Sequence, residues 1–385
     1  MLTAYREEAR ISSTPAPLPD RSLAHISKVD RYNPPRRARL FHPQRMGGRE
    51  FPRNDMTGQN PFESLRQIYA GYAVSRALHA VADLGVADAL DDSPRSATDL
   101  ARSVDANPDA LDRALRILSS YGVFEPVGDG YRHSPASRLL RSDHPGSARA
   151  LARMFGLSMN WSTYGAMEHT MRTGRPASEK TLPEGFWGYF SKHPEESAIF
   201  NEAMAAKARA QVPAVVAAYD FSRFRRIGDI GGGRGHLLQA VLRAAPQAKG
   251  VLFDLPHVVA DAASSRSDRL TLQAGDFFKD ALPECDAYVL MEVIHDWADP
   301  ESEAILRSIR RAAPVGAVLL LIEEIIPTDP GPHWSKLLDL HMLTLLGGRQ
   351  RTLHQYERLL RTAGFAPKRE IATPVGISII EAAAE

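Results

Sequence analysis

From Arg226 onward, segments with strand character and segments with helix character take turns, and this alternation constrains the chain more than any other feature. Strands fit residues 226–230, 249–254, 270–274, 287–293, 317–324, 367–373 and 377–382, with helices between most of them. Such a series buries its strands as a doubly wound, mostly parallel α/β sheet. The last two strands are separated only by a short turn at 374–376. That turn cannot hold a crossover, so the pair must form a hairpin and one strand must run antiparallel.

The first strand runs straight into Asp229-Ile230-Gly231-Gly232-Gly233-Arg234-Gly235-His236, and a helix follows. Open α/β sheets bind ligands at the carboxyl ends of their strands, so this turn is a candidate ligand loop. A dinucleotide fingerprint needs glycine at its first, third and sixth positions. Counted from Gly231 the sixth position is His236, and the pattern fails. The spacing is instead acid-x-Gly-x-Gly-x-Gly, made by Asp229, Gly231, Gly233 and Gly235. An acid at Asp229 would repel phosphate and attract a cation such as an ammonium or a sulfonium. Asp254 closes the second strand, where a carboxylate can accept from both ribose hydroxyls. Asp276 follows the third strand beside Phe277, a pairing that suits an adenine amino group and ring face. One such aspartate is more often a cap or turn residue. Three at successive strand ends argue for a ligand.

The remaining segments are organised differently. The chain has 385 residues, more than the roughly 250–300 that one core sustains. Residues 1–55 hold seven prolines and ten arginines without an apolar period, and we expect a disordered extension. In residues 56–145, Leu65, Ile68, Tyr69 and Tyr72 fall at helical spacing. A short helix starts near Ser96 or Thr98, and Asn107-Pro108 opens another that carries Leu111, Leu115 and Leu118. A hairpin turning at Gly128-Asp129-Gly130 follows. Helix, helix, hairpin is the order of a winged helix. Residues 61–145 carry nine arginines against twelve acids, so they offer no basic face for nucleic acid, and a packing or dimerisation module is expected. Residues 146–220 read as a helical linker rich in aromatics, among them Trp161, Phe186 and Phe200, and such density is either core or the lining of a pocket for a flat ligand. Residues 221–385 hold the sheet.

Composition bounds the partners. Lysine and arginine number 47 against 46 acids, which gives no overall reason for a nucleic-acid partner. The longest apolar run, 315–322, falls far short of the ~20 residues a membrane helix needs. Cys285 is the single cysteine, which excludes an internal disulfide and a cysteine-based zinc site and suits a reducing, cytoplasmic home.

Taken together, residues 226–382 resemble class I S-adenosylmethionine-dependent methyltransferases. With residues 61–145, the chain is similar to the plant caffeic acid and bacterial small-molecule O-methyltransferase family. The resemblance is carried by the glycine loop and by Phe253-Asp254-Leu255-Pro256-His257-Val258, Gly275-Asp276-Phe277-Phe278, His295-Asp296-Trp297 and Gly347-Gly348-Arg349-Gln350-Arg351-Thr352. It implies a Rossmann-like sheet of seven strands with an antiparallel last strand, and an N-terminal α-helical winged-helix domain that makes a homodimer. It implies S-adenosyl-L-methionine as donor, S-adenosyl-L-homocysteine as product, no metal, and a small hydroxyl compound as acceptor. His295 falls on the family's general base. Histidine can take a phenolic proton as a methyl group moves onto the oxygen. Glu324, at the end of the fifth strand, is expected to hydrogen-bond and orient the imidazole. Asp299 is read as a helix cap with no chemical role. Trp161, Met204, Asp296, Met342 and Leu345 are the candidates for touching the acceptor. Two departures stand out. Gln350 occupies a position where the family often has glutamate, and Met291 one where it often has lysine. They keep open a relative that hydroxylates or decarboxylates its substrate. A winged-helix sensor of the cofactor is the non-enzymatic alternative.

Overall fold

The computed structural model describes residues 60–385; the extension expected at 1–55 lies outside them. The first helix is Pro61–Asp83, and the contacts divide the chain into two units between Gly71 and Tyr72.

The second unit begins with a small antiparallel sheet. Strands β1 (Arg95–Ser96), β2 (Phe124–Val127) and β3 (Gly130–His133) pair in the order β1-β3-β2. Gly130 is required where β3 meets β1, because a Cβ there would lie 2.6 Å from the Arg95 carbonyl oxygen. Helix Pro108–Ser120 starts where the Asn107 side chain accepts from the Ala110 N–H, as the sequence suggests. Leu111, Leu115 and Leu118 form its buried stripe and pack with Val86, Leu90, Leu100 and Phe124. Each such leucine contributes about 1.5–3 kcal/mol through burial.

The large sheet contains β4 (Arg226–Ile230), β5 (Lys249–Asp254), β6 (Leu270–Ala274), β7 (Ala287–Met291), β8 (Val318–Glu324), β9 (Phe365–Ala372) and β10 (Ile377–Ala384). Their spatial order is β6-β5-β4-β7-β8-β10-β9, and β10 runs antiparallel to both neighbours. Chain order reverses between β4 and β7, so a crevice opens there at the carboxyl ends of the strands. One face of the sheet buries Tyr288, Leu290, Leu319 and Leu321 against helices Asp299–Ala312 and Leu353–Thr362. The other buries Val289, Leu320 and Ile322 against helices Pro194–Ala218 and His236–Ala244. The fourth strand of the sheet ends at Met291, two residues earlier than the sequence suggests. Glu292 stops it by entering the left-handed region at φ 56, although its N–H still donates to the Ile322 carbonyl at 2.9 Å.

Candidate active site

The glycine loop sits at the mouth of the crevice. Gly231, Gly233 and Gly235 all take positive φ, which side chains rarely tolerate. Gly232 is needed for a different reason: a Cβ there would strike the Asp229 carboxylate and Leu252. Asp229 is thus folded beneath the loop it was expected to serve, 1% exposed, with Oδ2 lacking a hydrogen-bond partner. Burial, reinforced by the charge of Asp254, pushes its pKa up to about 7. Asp254 ties the loop to β5: Oδ2 accepts from the Gly233 N–H at 2.8 Å and Oδ1 from the Leu255 N–H at 2.7 Å. Burial raises its pKa against the pull of those two N–H groups. Asp276 caps its own turn through the Phe278 N–H at 2.9 Å and pairs with Lys279 at 2.9 Å. Phe277 approaches Gly231 from that turn and packs edge-on against Phe278 and Trp297.

These features fit an S-adenosyl group. The loop's bare glycines let a ligand approach the backbone, the Asp254 carboxylate stands at the β5 end, and Phe277 offers a ring next to Gly231. The unpaired Asp229 oxygen beneath the loop is a buried polar atom of the sign a cationic ligand requires. Among the described residues no group of three or more His, Cys, Asp or Glu is placed to hold a metal ion. No helix among them is long and apolar enough to cross a membrane.

His295 lies in the 3-10 turn Ile294–Asp296 just beyond β7 and is 5% exposed. Its Nδ1 is 2.8 Å from Oε2 of Glu323, and Oε1 of the same carboxylate accepts from the Ile294 N–H at 2.9 Å. The sequence pointed to Glu324 as the orienting acid; Glu323 takes that place. The reason is strand parity. Glu323 shares its face of β8 with Leu319 and Leu321, the face against which Ile294 packs. Glu324 shares the opposite face with Leu320 and Ile322. Glu324 is buried, and that burial raises its pKa in spite of the charge of Lys207.

Burial alone would depress the imidazole. Glu323, with Asp296 and Glu292 behind it, overrides that effect and holds His295 at about 9. On the other ring nitrogen, Nε2 has a long 3.4 Å contact with Oδ1 of Asp296. Burial lifts Asp296 to about 6 against the pull of the imidazole.

The loop after helix Trp334–Leu346 braces this turn. Gly348 lies so close to the His295 carbonyl that a Cβ could not fit, and the Arg349 N–H donates to that carbonyl at 2.8 Å. Arg351 is 1% exposed and donates to the carbonyls of Ile294 at 3.2 Å and Trp297 at 3.0 Å. Asp299 holds the Arg351 guanidinium through Nε at 3.0 Å and Nη2 at 2.8 Å. Asp299 is therefore a brace and not a cap; Ala298 is the N-cap of its helix. Thr352 is an N-cap, in a reciprocal capping box with Gln355. Gln350 is 1% exposed, and neither amide atom of its side chain has a partner.

The expected acceptor residues lie on four elements, Ser158–Gly165, Pro194–Ala218, Ile294–Asp296 and Trp334–Leu346. Met204 is half-buried on helix Pro194–Ala218, among Ala203, Phe190 and Phe200. Met342 and Leu345 are buried on helix Trp334–Leu346, with the Leu345 carbonyl taking the Ser178 hydroxyl at 2.6 Å. Trp161 packs on the first helix, under the Arg76 guanidinium at 4.7 Å and edge-on to His79 at 5.9 Å. Sequence reasoning missed Lys207 and Glu292, an ion pair at 2.6 Å behind His295. The available signal was a lone lysine in the run Ala205-Ala206-Lys207-Ala208.

Comparison with known proteins agrees with this geometry. Residues 164–366 match the O-methyltransferase domain family, and residues 67–143 match the O-methyltransferase dimerisation domain family. The phenazine O-methyltransferase PhzM of Lysobacter antibioticus is 41% identical over 337 residues, covering 86% of this chain and 98% of that protein. The crystal structure of LaPhzM superposes with a TM-score of 0.76 at 40% identity, over 85% of this chain and all (100%) of that one. The O-methyltransferase NcsB1 from neocarzinostatin biosynthesis, solved with S-adenosyl-L-homocysteine and 1,4-dihydroxy-2-naphthoic acid, superposes at 0.69 with 32% identity, over 81% of this chain and 96% of that one. The chain belongs to the S-adenosylmethionine-dependent O-methyltransferase family.

Proposed function

We propose that this chain methylates a hydroxyl on a small aromatic compound, with His295 as general base and Glu323 as the positioning acid. The observation that carries the reading is the buried Glu323–His295 pair at 2.8 Å, set at the carboxyl end of β7 beside the glycine loop. When bound, the cofactor supplies a methyl group on a sulfonium, an electrophile whose positive charge also favours a neutral imidazole nearby. Asp254 and the glycine loop would hold its ribose and amino-acid portions, and Phe277 its adenine. Glu323 fixes the proton on Nδ1 and leaves Nε2 to receive the acceptor's proton. A phenol has a pKa of roughly 10, within reach of an imidazole held up at about 9. Glu323 then stabilises the imidazolium, while Arg351 and Asp299 keep the turn in place. The buried surroundings exclude water and position the two reactants, which is most of what such a transfer requires.

The aromatic acceptor is supported by the named substrate classes of the relatives and by the aromatic-rich helices 149–218. The test is a panel of hydroxylated phenazines, benzoates and naphthoates, read as S-adenosylhomocysteine release and product mass. A gain of one methylene unit, abolished by His295→Ala, is the expected result. Turnover only with aliphatic alcohols or amines would reject the aromatic acceptor, and a gain of oxygen would reject methyl transfer.

We further propose that the winged-helix-like N-terminal region makes a homodimer. Phe62, Leu65, Ile68, Tyr69 and Tyr72 on the first helix stay 60–69% exposed, a stripe too apolar to be left in water. Sedimentation of the full chain should show a dimer that Ile68→Asp weakens.

A further inference from the structure

The mechanism leaves one half-buried ion pair without a task. Lys207 projects from helix Pro194–Ala218, and its ammonium lies 2.6 Å from the Glu292 carboxylate. Their side chains keep 22% and 14% of their surface accessible. Asp296, 3.4 Å from the His295 ring, keeps 29%. Glu292 acts electrostatically on His295 and Lys207 on Asp296, so the ion pair and the base are neighbours.

Two features show that the pair is held in place. Glu292 keeps a left-handed backbone at φ 56, a conformation that is strained for a non-glycine residue and persists where the surroundings demand it. Burial works against the Lys207 ammonium, but Glu292, with Glu324 and Glu323 further off, holds its pKa above the ordinary lysine value. The group stays charged. An ammonium has three donors, and Glu292 is the single partner that the described residues give this one. Donors left unmet in a half-buried site are costly, and the accessible part of the ammonium is where an accepting atom of a ligand would sit.

The surrounding charges decide which kind of atom. Glu292, Glu323, Glu324 and Asp296 approach from the sheet side together with His295. From helix Trp334–Leu346 comes His341, which burial and the Lys207 charge push down to about 4. It is neutral, and its Nδ1 is 3.0 Å from the Tyr164 hydroxyl. Carboxylates outnumber cations here. Another carboxylate would add repulsion, whereas a carbonyl oxygen or ring nitrogen accepts a hydrogen bond without adding charge.

We propose that Lys207, held by Glu292, is a specificity residue that donates a hydrogen bond to an uncharged carbonyl oxygen or ring nitrogen on the aromatic acceptor whose hydroxyl meets His295. The proposal rests on the methyl-transfer reading above and adds to it the acceptor's second polar group. A compound that lacks this group leaves the ammonium donors unpaired and is rejected.

Three probes with related bicyclic skeletons test it. They are 7-hydroxy-1-tetralone, 5,6,7,8-tetrahydro-2-naphthol, which lacks the carbonyl, and 7-hydroxy-1-naphthoate, which carries a carboxylate at that position. Their Kd values are measured calorimetrically on the full chain saturated with S-adenosylhomocysteine. The ketone should bind roughly tenfold or more tighter than the tetrahydronaphthol, and the carboxylate no tighter than the tetrahydronaphthol. Lys207→Arg should keep the preference. Lys207→Met combined with Glu292→Gln, which leaves neither charge buried alone, should erase it. A wild type with no preference, one that binds none of the probes, one that binds the carboxylate tightest, or a preference that survives in the double variant would each overturn the proposal. Failure of the wild type to bind S-adenosylhomocysteine appears before any probe is added, and would overturn the methyl-transfer reading along with it.

Discussion

Replacing Glu323 by glutamine changes one atom and separates the two glutamates at the end of β8. Oε1 of Glu323 takes the Ile294 N–H at 2.9 Å and Oε2 faces His295 Nδ1 at 2.8 Å. A glutamine that keeps its carbonyl on the Ile294 N–H turns its NH₂ toward Nδ1. That NH₂ can only donate, so Nδ1 must lose its proton, and the ring proton moves to Nε2. Nε2 is the atom that must receive the acceptor's proton in the proposed reaction. The charge-assisted bond to the imidazolium is lost as well, worth about 1.5–3 kcal/mol or roughly 10–150-fold in rate. Adding the wrong tautomer, kcat should fall on the order of 10²–10⁴-fold. Glu324→Gln, which removes no bond to the imidazole, should cost less than about tenfold. The assay is the initial rate of S-adenosylhomocysteine release with the best acceptor of the panel, at saturating donor, with S-adenosylhomocysteine affinity measured alongside. The pH profile gives an independent reading. Glu323 is what raises His295 to about 9 against burial. Without it the imidazole pKa falls, so the acid limb of kcat must move to lower pH while the plateau drops. Equal losses in the two variants, or an unmoved acid limb, would refute the assignment.

In the ligand-free protein the His295 ring should titrate near 9 by NMR, well above the ordinary 6.5, and fall in Glu323→Gln. The same raised pKa stabilises the fold fully below pH ~6.5, and that contribution is lost as pH rises through His295's folded value; the Tm gap between wild type and Glu323→Gln should therefore narrow from pH 6 to pH 10. Asp254→Asn should weaken S-adenosylhomocysteine binding by about tenfold or more in calorimetry, since one charge-assisted acceptor at the β5 end is lost. Gly232→Ala should destabilise the fold by about 1–3 kcal/mol in urea unfolding, because its Cβ meets the Asp229 carboxylate and Leu252. Arg351→Met should cost about 2–4 kcal/mol, as it unties the buried Ile294 and Trp297 carbonyls and takes from Asp299 its nearest cation, leaving it the longer pairs to Arg349 and Arg358; a loss below about 1 kcal/mol would show that the brace is dispensable.

The parts of this fold that were legible depend on local rules. The seven strands of the large sheet follow from runs of apolar residues bounded by turns, and the antiparallel β10 follows from a connection too short for a crossover. Asn107, Ser96 and Thr352 cap helices because their side chains compete for the first free N–H groups, a preference readable from one residue and its neighbours. The early end of β7 was not legible, because nothing in a glutamate announces φ 56; tertiary surroundings impose it. The service of Asp299 to Arg351 spans 52 residues of sequence and could not be read from Asp299-Pro300, which locally looks like a helix start.

The exchange of Glu324 for Glu323 shows where such reading stops. In a strand, neighbouring residues point to opposite faces, so an error of one position moves a side chain to the other side of the sheet. Leu319, Leu321 and Glu323 share one face of β8, and Leu320, Ile322 and Glu324 the other. Sequence alone reveals two acids at a strand end and a histidine past the neighbouring strand. Which acid meets the histidine depends on the side to which the chain bends after β7. That bend is made by Glu292, whose left-handed backbone sends Ile294 into the core on the Leu319 face and leaves the carboxylate of Glu292 with Lys207 on the other side. One strained residue thus stands between both pairings, Glu323 with His295 and Glu292 with Lys207. A variant such as Glu292→Gly, which relieves the strain and removes the charge, should disturb the Glu323–His295 pair and the Lys207 preference together, although it touches neither His295 nor the acceptor.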